Sequence, residues 1–183
     1  MKRVMLHTAL LAALTAGPVF AQTTPPPAPG NDVAPATAVD RDGFLDMVVS
    51  SNNWEIQSSE LAKKKTTRED IRKLADKIIF DHVGAAVKLK ARLENKPQGA
   101  ESLPAADLAP KHRDMLQQLE AAPSGPEFDA LYLKLQGDAH MEAVALFRSY
   151  VANGEDQQLV GFARETLPAL ESHLAHVTQL SKT

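Results

Sequence analysis

The sequence predicts an all-α protein, four long helices in one bundle with a long crossover between the second and the third. Three observations carry this. Four segments place apolar residues at alternating steps of four and three, which marks one face of a helix. No segment sustains the period-two alternation of a half-buried strand. Short turns join the first helix to the second and the third to the fourth, whereas a stretch of about thirty residues separates the second from the third.

Residues 1–21 read as a leader. Lys2 and Arg3 form a basic start, Val4 to Leu14 is a short apolar run, and Val19-Phe20-Ala21 suits cleavage before Gln22. The run is too short to span a bilayer stably, no second one follows, and no cysteine stands at the cut to take a lipid. The expectation is an exported chain, periplasmic or secreted, with no transmembrane segment after processing. Residues 22–39 (QTTPPPAPGNDVAPATAV) carry five prolines and almost no large apolar side chain, so they read as a disordered tether.

Residues 40–183 form the bundle domain. On the first helix Phe44, Val48, Ser51, Glu55, Ser58 and Ala62 share a face, and Lys63 to Lys65 offset the dipole at its C-terminus. Thr66 with Glu69 reads as a capping box opening the second helix, whose face is Ile71, Ala75, Ile78, His82, Ala85 and Leu89. The crossover holds one modest helix over about Pro110 to Ala122. Ser124-Gly-Pro-Glu127 reads as a second capping box. The third helix aligns Leu133, Gly137, His140, Val144, Phe147 and Val151, and Asn153-Gly154 should end it with a left-handed residue. The fourth opens at Asp156, aligns Leu159, Ala163, Thr166, Leu170, His173, Val177 and Leu180, and should kink or break near Arg164 because of Pro168. Two tight hairpins flanking one long crossover is the connectivity of ferritin-like bundles rather than of simple up-down ones.

Composition excludes several functions. After loss of the leader 18 Lys and Arg face 23 Asp and Glu, and the formal charge moves from −3 to −5. That is no footprint for nucleic acid or anionic lipid. There is no cysteine, so disulfides and thiolate metal sites are both impossible. Ser51, Ser58 and Ser59 have no adjacent base, so nucleophilic hydrolysis is unsupported, and no Gly-rich phosphate loop is present; the balance is against an enzyme without excluding one.

Polar residues on the apolar seams carry the functional signal. His82, His140 and His173 each stand where a leucine would be expected, and Glu55 does the same on the first helix. Neutral imidazole suits zinc, copper and iron, and a carboxylate adds charge to balance a divalent cation. From helix rise, His140 and His173 differ in height by roughly 6 Å and Glu55 and His82 by roughly 9 Å. The expected set is therefore His82, His140 and His173, with Glu55 beside it or at a displaced site. The residues three before the histidines are Ile79, Gly137 and Leu170, so the Glu-x-x-His pairs of a di-iron carboxylate centre are missing. Asp81 points about 100° off the seam and reads as a brace to a neighbouring helix. His176 falls on the flank of the fourth helix and His112 in the crossover, away from the seam. Trp54 and Phe128 read as core aromatics.

With these residues placed, the chain resembles the family known as domain of unknown function 4142. The segments WEIQSSELAKKKTTREDIRKLADKIIFDH, FDALYLKLQGDAH and LPALESHLAHVTQL carry the likeness over about residues 41–181, with matching positions at Glu55, Leu61-Ala62, Asp81-His82, Phe128-Asp129, His140 and His173. The resemblance implies a ferritin-like fold, an exported bacterial protein and no established activity; Asp129 enters on it alone. Two functions stay open: a metal-binding module for zinc, copper or iron, and a non-catalytic envelope or stress-related interaction protein whose core histidines are structural. The sequence names no protein partner.

Overall fold

The computed structural model describes residues 39–94 and 107–182. The leader expected over 1–21, the proline-rich stretch up to residue 38 and residues 95–106 of the crossover lie outside the described residues. Five helices are described: α1 Arg41–Lys65, α2 Glu69–Glu94, α3 Pro110–Ala121, α4 Pro126–Asn153 and α5 Gln157–Leu180. No strand occurs among the described residues, and none of the helices is long and apolar enough to cross a membrane.

The four long helices form the bundle, and α3 lies on it as the helix of the crossover. α1 packs against α2 and α4, and α5 packs against the same two. Two contacts give the directions. Gly125 N–H donates to the Lys65 carbonyl (3.0 Å), which puts the start of α4 beside the end of α1. Arg41 Nε donates to Asp156 Oδ2 (3.0 Å), which puts the start of α1 beside the start of α5. Each long helix is thus antiparallel to both of its packed neighbours, and the crossover returns along the length of the bundle. α3 lies against α1, where Ser50 accepts from Ala109 N–H at its start and Lys65 reaches the carbonyls of Leu119, Glu120 and Ala122 at its end. The lysine expected to offset the dipole of its own helix satisfies the C-terminus of another.

Three of the expected helix ends are built differently. α2 begins at Glu69, and Thr66 closes α1 instead, its N–H donating to Ala62 O (2.9 Å) while its hydroxyl accepts from Arg68 N–H (3.0 Å). A hydroxyl that makes this tight turn is no longer free for the capping box. Ser124 caps nothing: Gly125 holds the N-cap position of α4 at φ 96°, a geometry that favours glycine, and Pro126 opens the helix. Gly154 follows α4 at φ −67°, outside the left-handed region, so its need for glycine is spatial. A Cβ there would stand 2.6 Å from the Tyr150 carbonyl oxygen and 2.7 Å from its ring. The break expected near Arg164 does not occur, and α5 runs unbroken through Pro168. Arg164 and Pro168 both lie on the exposed side, where water can satisfy the carbonyl that proline leaves without a donor.

The apolar core comes in two clusters. One gathers Trp54, Ile71, Ile78, Phe128, Tyr132 and Val177 at the end where α1 meets α2. The other gathers Phe44, Leu89, Phe147, Tyr150, Leu159 and Phe162 at the opposite end. On α2 the first cluster stops at Ile78 and the second starts at Leu89; on α4 the break falls between Ala139 and Val144, and on α5 between Leu170 and Val177. His82, His140 and His173 occupy these three gaps. The histidines form a polar layer between two apolar halves, each of whose fully buried large side chains stabilises the fold by about 1.5–3 kcal/mol.

Candidate metal centre

All four seam residues are buried: His82 7% exposed, His140 0%, His173 1% and Glu55 1%. The later start of α2 brings them nearer in height than the sequence suggests. Glu55 stands ten residues before the end of α1 and His82 thirteen after the start of α2, a mismatch of roughly 4–5 Å.

The three imidazoles meet at the bundle axis. Ring centroids are 6.0 Å apart for His82 and His140, 5.6 Å for His82 and His173, and 5.2 Å for His140 and His173. One nitrogen of each ring is engaged by an acceptor, from a neighbouring helix for His82 and His173 and from its own helix for His140. His140 Nδ1 lies 2.9 Å from the Gln136 carbonyl, His82 Nδ1 lies 3.0 Å from Asn52 Oδ1, and His173 Nε2 lies 2.7 Å from Asp81 Oδ2. A carbonyl or carboxylate only accepts, so each of these nitrogens carries the ring proton. The bare nitrogens are then His82 Nε2, His140 Nε2 and His173 Nδ1.

The rings are neutral, because burial makes the second proton unfavourable. It pushes His82 down to about 3 and His140 down to about 4, and the neighbouring histidines push the same way. His173 is lowered by burial against the opposing pull of Asp81. Burial alone would raise Asp81, but Lys77 (2.8 Å) and His173 outweigh it and keep the carboxyl below its usual range. With one proton per ring already committed, His140 Nε2 and His173 Nδ1 face each other at 3.2 Å, lone pair to lone pair. His82 Nε2 is buried with no hydrogen-bond partner. Three donor atoms, one from each histidine, lie within 4.8 Å of one another.

The donor set fits a borderline-soft cation. Two ligands of one zinc ion, each about 2.0–2.1 Å from it, lie about 3.4 Å apart in a tetrahedral site and at most about 4.2 Å apart in any, so the widest separation, within 4.8 Å, must close by about an ångström or more on binding. The 3.2 Å pair already has the spacing of a tetrahedral site. A ligating histidine typically donates its other N–H to a carboxylate or carbonyl, and all three rings do so here.

Glu55 stands beside this triangle. Its Oε1 is 3.5 Å from His140 Nδ1, the nitrogen turned away from the centre, and its Oε2 has no hydrogen-bond partner. Burial pushes its carboxyl up to about 8 against the opposing Gln136 amide, so it is a neutral acid at pH 7. Below it Gln136 Nε2 donates to Ser58 Oγ (3.0 Å), and Ser59 pairs with the Tyr132 hydroxyl (2.9 Å), so two of the serines serve the polar layer.

Other sequence expectations fall out as follows. Asp81 does reach a neighbouring helix, and what it holds there is His173 itself. Asn52 and Gln136 carry the other two rings, though nothing in their spacing singles them out. His112 is nearer to the core than expected: on α3, it pairs with Ser50 Oγ (2.7 Å), stacks on Trp54 at 6.2 Å and lines the same cavity as His82. His176 is half-buried and outside the cluster. Asp129 lies buried in the first turn of α4, toward the opposite end of that helix from Gly154, with neither oxygen hydrogen-bonded. Trp54 and Phe128 are core aromatics. Glu142 and Glu171 pair with Lys111 and Arg148 at the surface.

Residues 26–180 match the family described as domain of unknown function (DUF4142). The chain belongs to this family. Among solved structures, the DUF4142 chain is similar to CopM in its Cu(II)-bound form, at 19% identity over 76% of this chain and 94% of that one, with a TM-score of 0.64. At that identity the likeness is one of fold. No curated protein matches significantly.

Proposed function

We propose that this chain is an exported, periplasmic or secreted, metal-binding bundle. It holds one transition-metal ion on His82, His140 and His173, for storage, delivery or buffering. The single observation that carries the reading is the inward set of three bare nitrogens, two of them lone pair to lone pair at 3.2 Å. Such a layer is unfavourable when empty, and a cation relieves it. Zinc, copper and iron all accept imidazole nitrogen, whereas magnesium and calcium prefer oxygen. Copper is the first ion to try, since the similar bundle of CopM holds Cu(II). Glu55 adds charge on demand: a divalent ion nearby favours loss of its proton, and the carboxylate then balances the ion through His140.

The alternative, an interaction protein with structural histidines, predicts that His→Leu changes leave stability unchanged or raise it. Thermal unfolding tests both readings. The midpoint should rise with micromolar zinc, copper(II) or iron(II) relative to chelator at about pH 7.5; at a hundredfold excess over Kd the stabilisation is about 2.7 kcal/mol. Burial keeps the imidazoles unprotonated at about pH 5, so the rise should persist there and shrink only toward about pH 3–4, where protons compete for them. A midpoint indifferent to every metal at every pH would sink the proposal.

A further inference from the structure

Five large apolar side chains stand exposed among the described residues, and three of them share one stripe of α2: Phe80 (78%), Val83 (48%) and Val87 (65%). The other two, Met47 and Met141, stand singly on α1 and α4. Phe80, Gly84, Val87 and Ala91 follow one another at steps of four, three and four, the spacing of a coiled-coil seam. They lie on the side of α2 opposite Ile71, Ile78, His82 and Leu89, which face the core. A Cβ on Gly84 would meet nothing within 4 Å, and a shallow depression lined by Asp76, Phe80, Val83 and Lys88 surrounds it. The seam is thus open to an incoming helix.

Charges on its two flanks decide which helix fits. On one flank Asp81 is followed seven residues later by Lys88, and on the other Asp76 is followed fourteen later by Lys90. Each flank therefore runs from acid to base in the same direction. A second copy of this chain placed parallel would set Asp76 against Asp81 of the other copy. Placed antiparallel, it sets Asp81 against Lys88 of the other copy on both sides of a two-fold axis. Asp81 meets His173 and Lys77 through Oδ2 alone, so Oδ1 remains to accept from that lysine. The same register sets large against small, Phe80 against Ala91 and Val87 against Gly84, each twice.

We propose that the chain self-associates as a two-fold dimer through this stripe, with α2 antiparallel to α2 of a second copy. The inference stands apart from the metal centre, because the seam faces away from the histidine layer. The apolar contact is small, so the dimer is a weak one that depends on concentration.

Sedimentation velocity of the purified protein in chelator, from low-micromolar to submillimolar concentration, reads the association. The expected result is a monomer–dimer equilibrium. Phe80→Lys and, separately, Val87→Lys should weaken it about tenfold or more with circular dichroism unchanged. Met141→Lys, at an exposed apolar site on α4, should leave it as it is. The natural chain has no cysteine, so introduced ones read the direction. In the antiparallel dimer Lys77 lies opposite Glu94 of the other copy, and the two Lys77 positions are about 25 Å apart along the axis. A mixture of Lys77→Cys and Glu94→Cys chains should therefore oxidise to mixed dimers, whereas Lys77→Cys alone should not cross-link. A monomer at every concentration overturns the inference, as does a dimer that both α2 substitutions leave intact or that Met141→Lys weakens equally. Cross-linking of Lys77→Cys alone as readily as of the mixture would show parallel pairing and overturn it as well.

Discussion

Each ring of the histidine layer has its own acceptor, and the three acceptors differ in strength. Asp81 is the only charged one. It fixes the His173 tautomer and raises the basicity of the nitrogen that faces inward. Asp81→Asn should therefore weaken metal binding about 10–100-fold while leaving the apo fold intact; competition with a chromophoric chelator measures it, and unchanged affinity would remove Asp81 from the site. Glu55 gives a prediction of opposite chemistry. Its native carboxyl titrates near 8 and its unfolded one near 4.5. Between those values the unfolded chain has released a proton that the native state still holds, so stability falls as pH rises. Glu55→Gln should abolish that loss and gain on the order of a few kcal/mol at about pH 8 relative to about pH 5, as read from urea unfolding of the chelated protein. The histidines and Glu55 are legible in the sequence because each breaks an apolar stripe at a core position. Asp81 is legible only as a brace to a neighbouring helix and Asn52 not at all, since which ring a flanking side chain meets depends on how the helices are rotated about their axes; the Gln136 carbonyl serves the ring four residues on in its own helix, whatever side chain stands at that position.

At the scale of the helix, the periodic stripes fix where the long helices run, and the boundaries depend on contacts made elsewhere. Gly154 shows the difference. The Asn-Gly pair marks the end of α4 correctly, but the reason is the Tyr150 ring and carbonyl rather than backbone handedness. Gly154→Ala should destabilise by about 1–3 kcal/mol through overpacking, measured by denaturant unfolding. A neutral result would mean that the turn can open at no cost. Lys65 likewise looks like a dipole partner in sequence, and it becomes the donor to three carbonyls at the end of α3 only because the crossover lies beside it. Lys65→Met should raise hydrogen exchange in α3 more than in α4 or α5. Uniform exchange across these helices would deny the lysine that role.

For the whole molecule, a polar layer between two apolar halves makes the stability of the metal-free bundle depend on pH from both sides. His82 and His140 resist protonation in the native state while the unfolded chain takes up protons below about 6.5. Their contribution is full above that value and is lost as pH falls toward about 4. Glu55 acts in the other direction above about 4.5, so the summed contribution of these groups peaks near about pH 6.5. A bound ion changes the acid limb, because protons must then displace the metal. The ferritin-like connectivity is readable from loop lengths alone, but the convergence of the three rings needs the actual helix starts, which bring the four heights closer than the sequence estimate.

The most direct test of the metal centre is the metal content of purified protein after loading with zinc or copper(II) and gel filtration. It compares the native chain, the triple His82→Ala, His140→Ala, His173→Ala variant, and His112→Ala, with folding checked by circular dichroism. The account predicts one ion per chain in the native protein and in His112→Ala, and none in the folded triple variant. Equal metal in the triple variant and the native chain, or negligible metal in every sample, would contradict it.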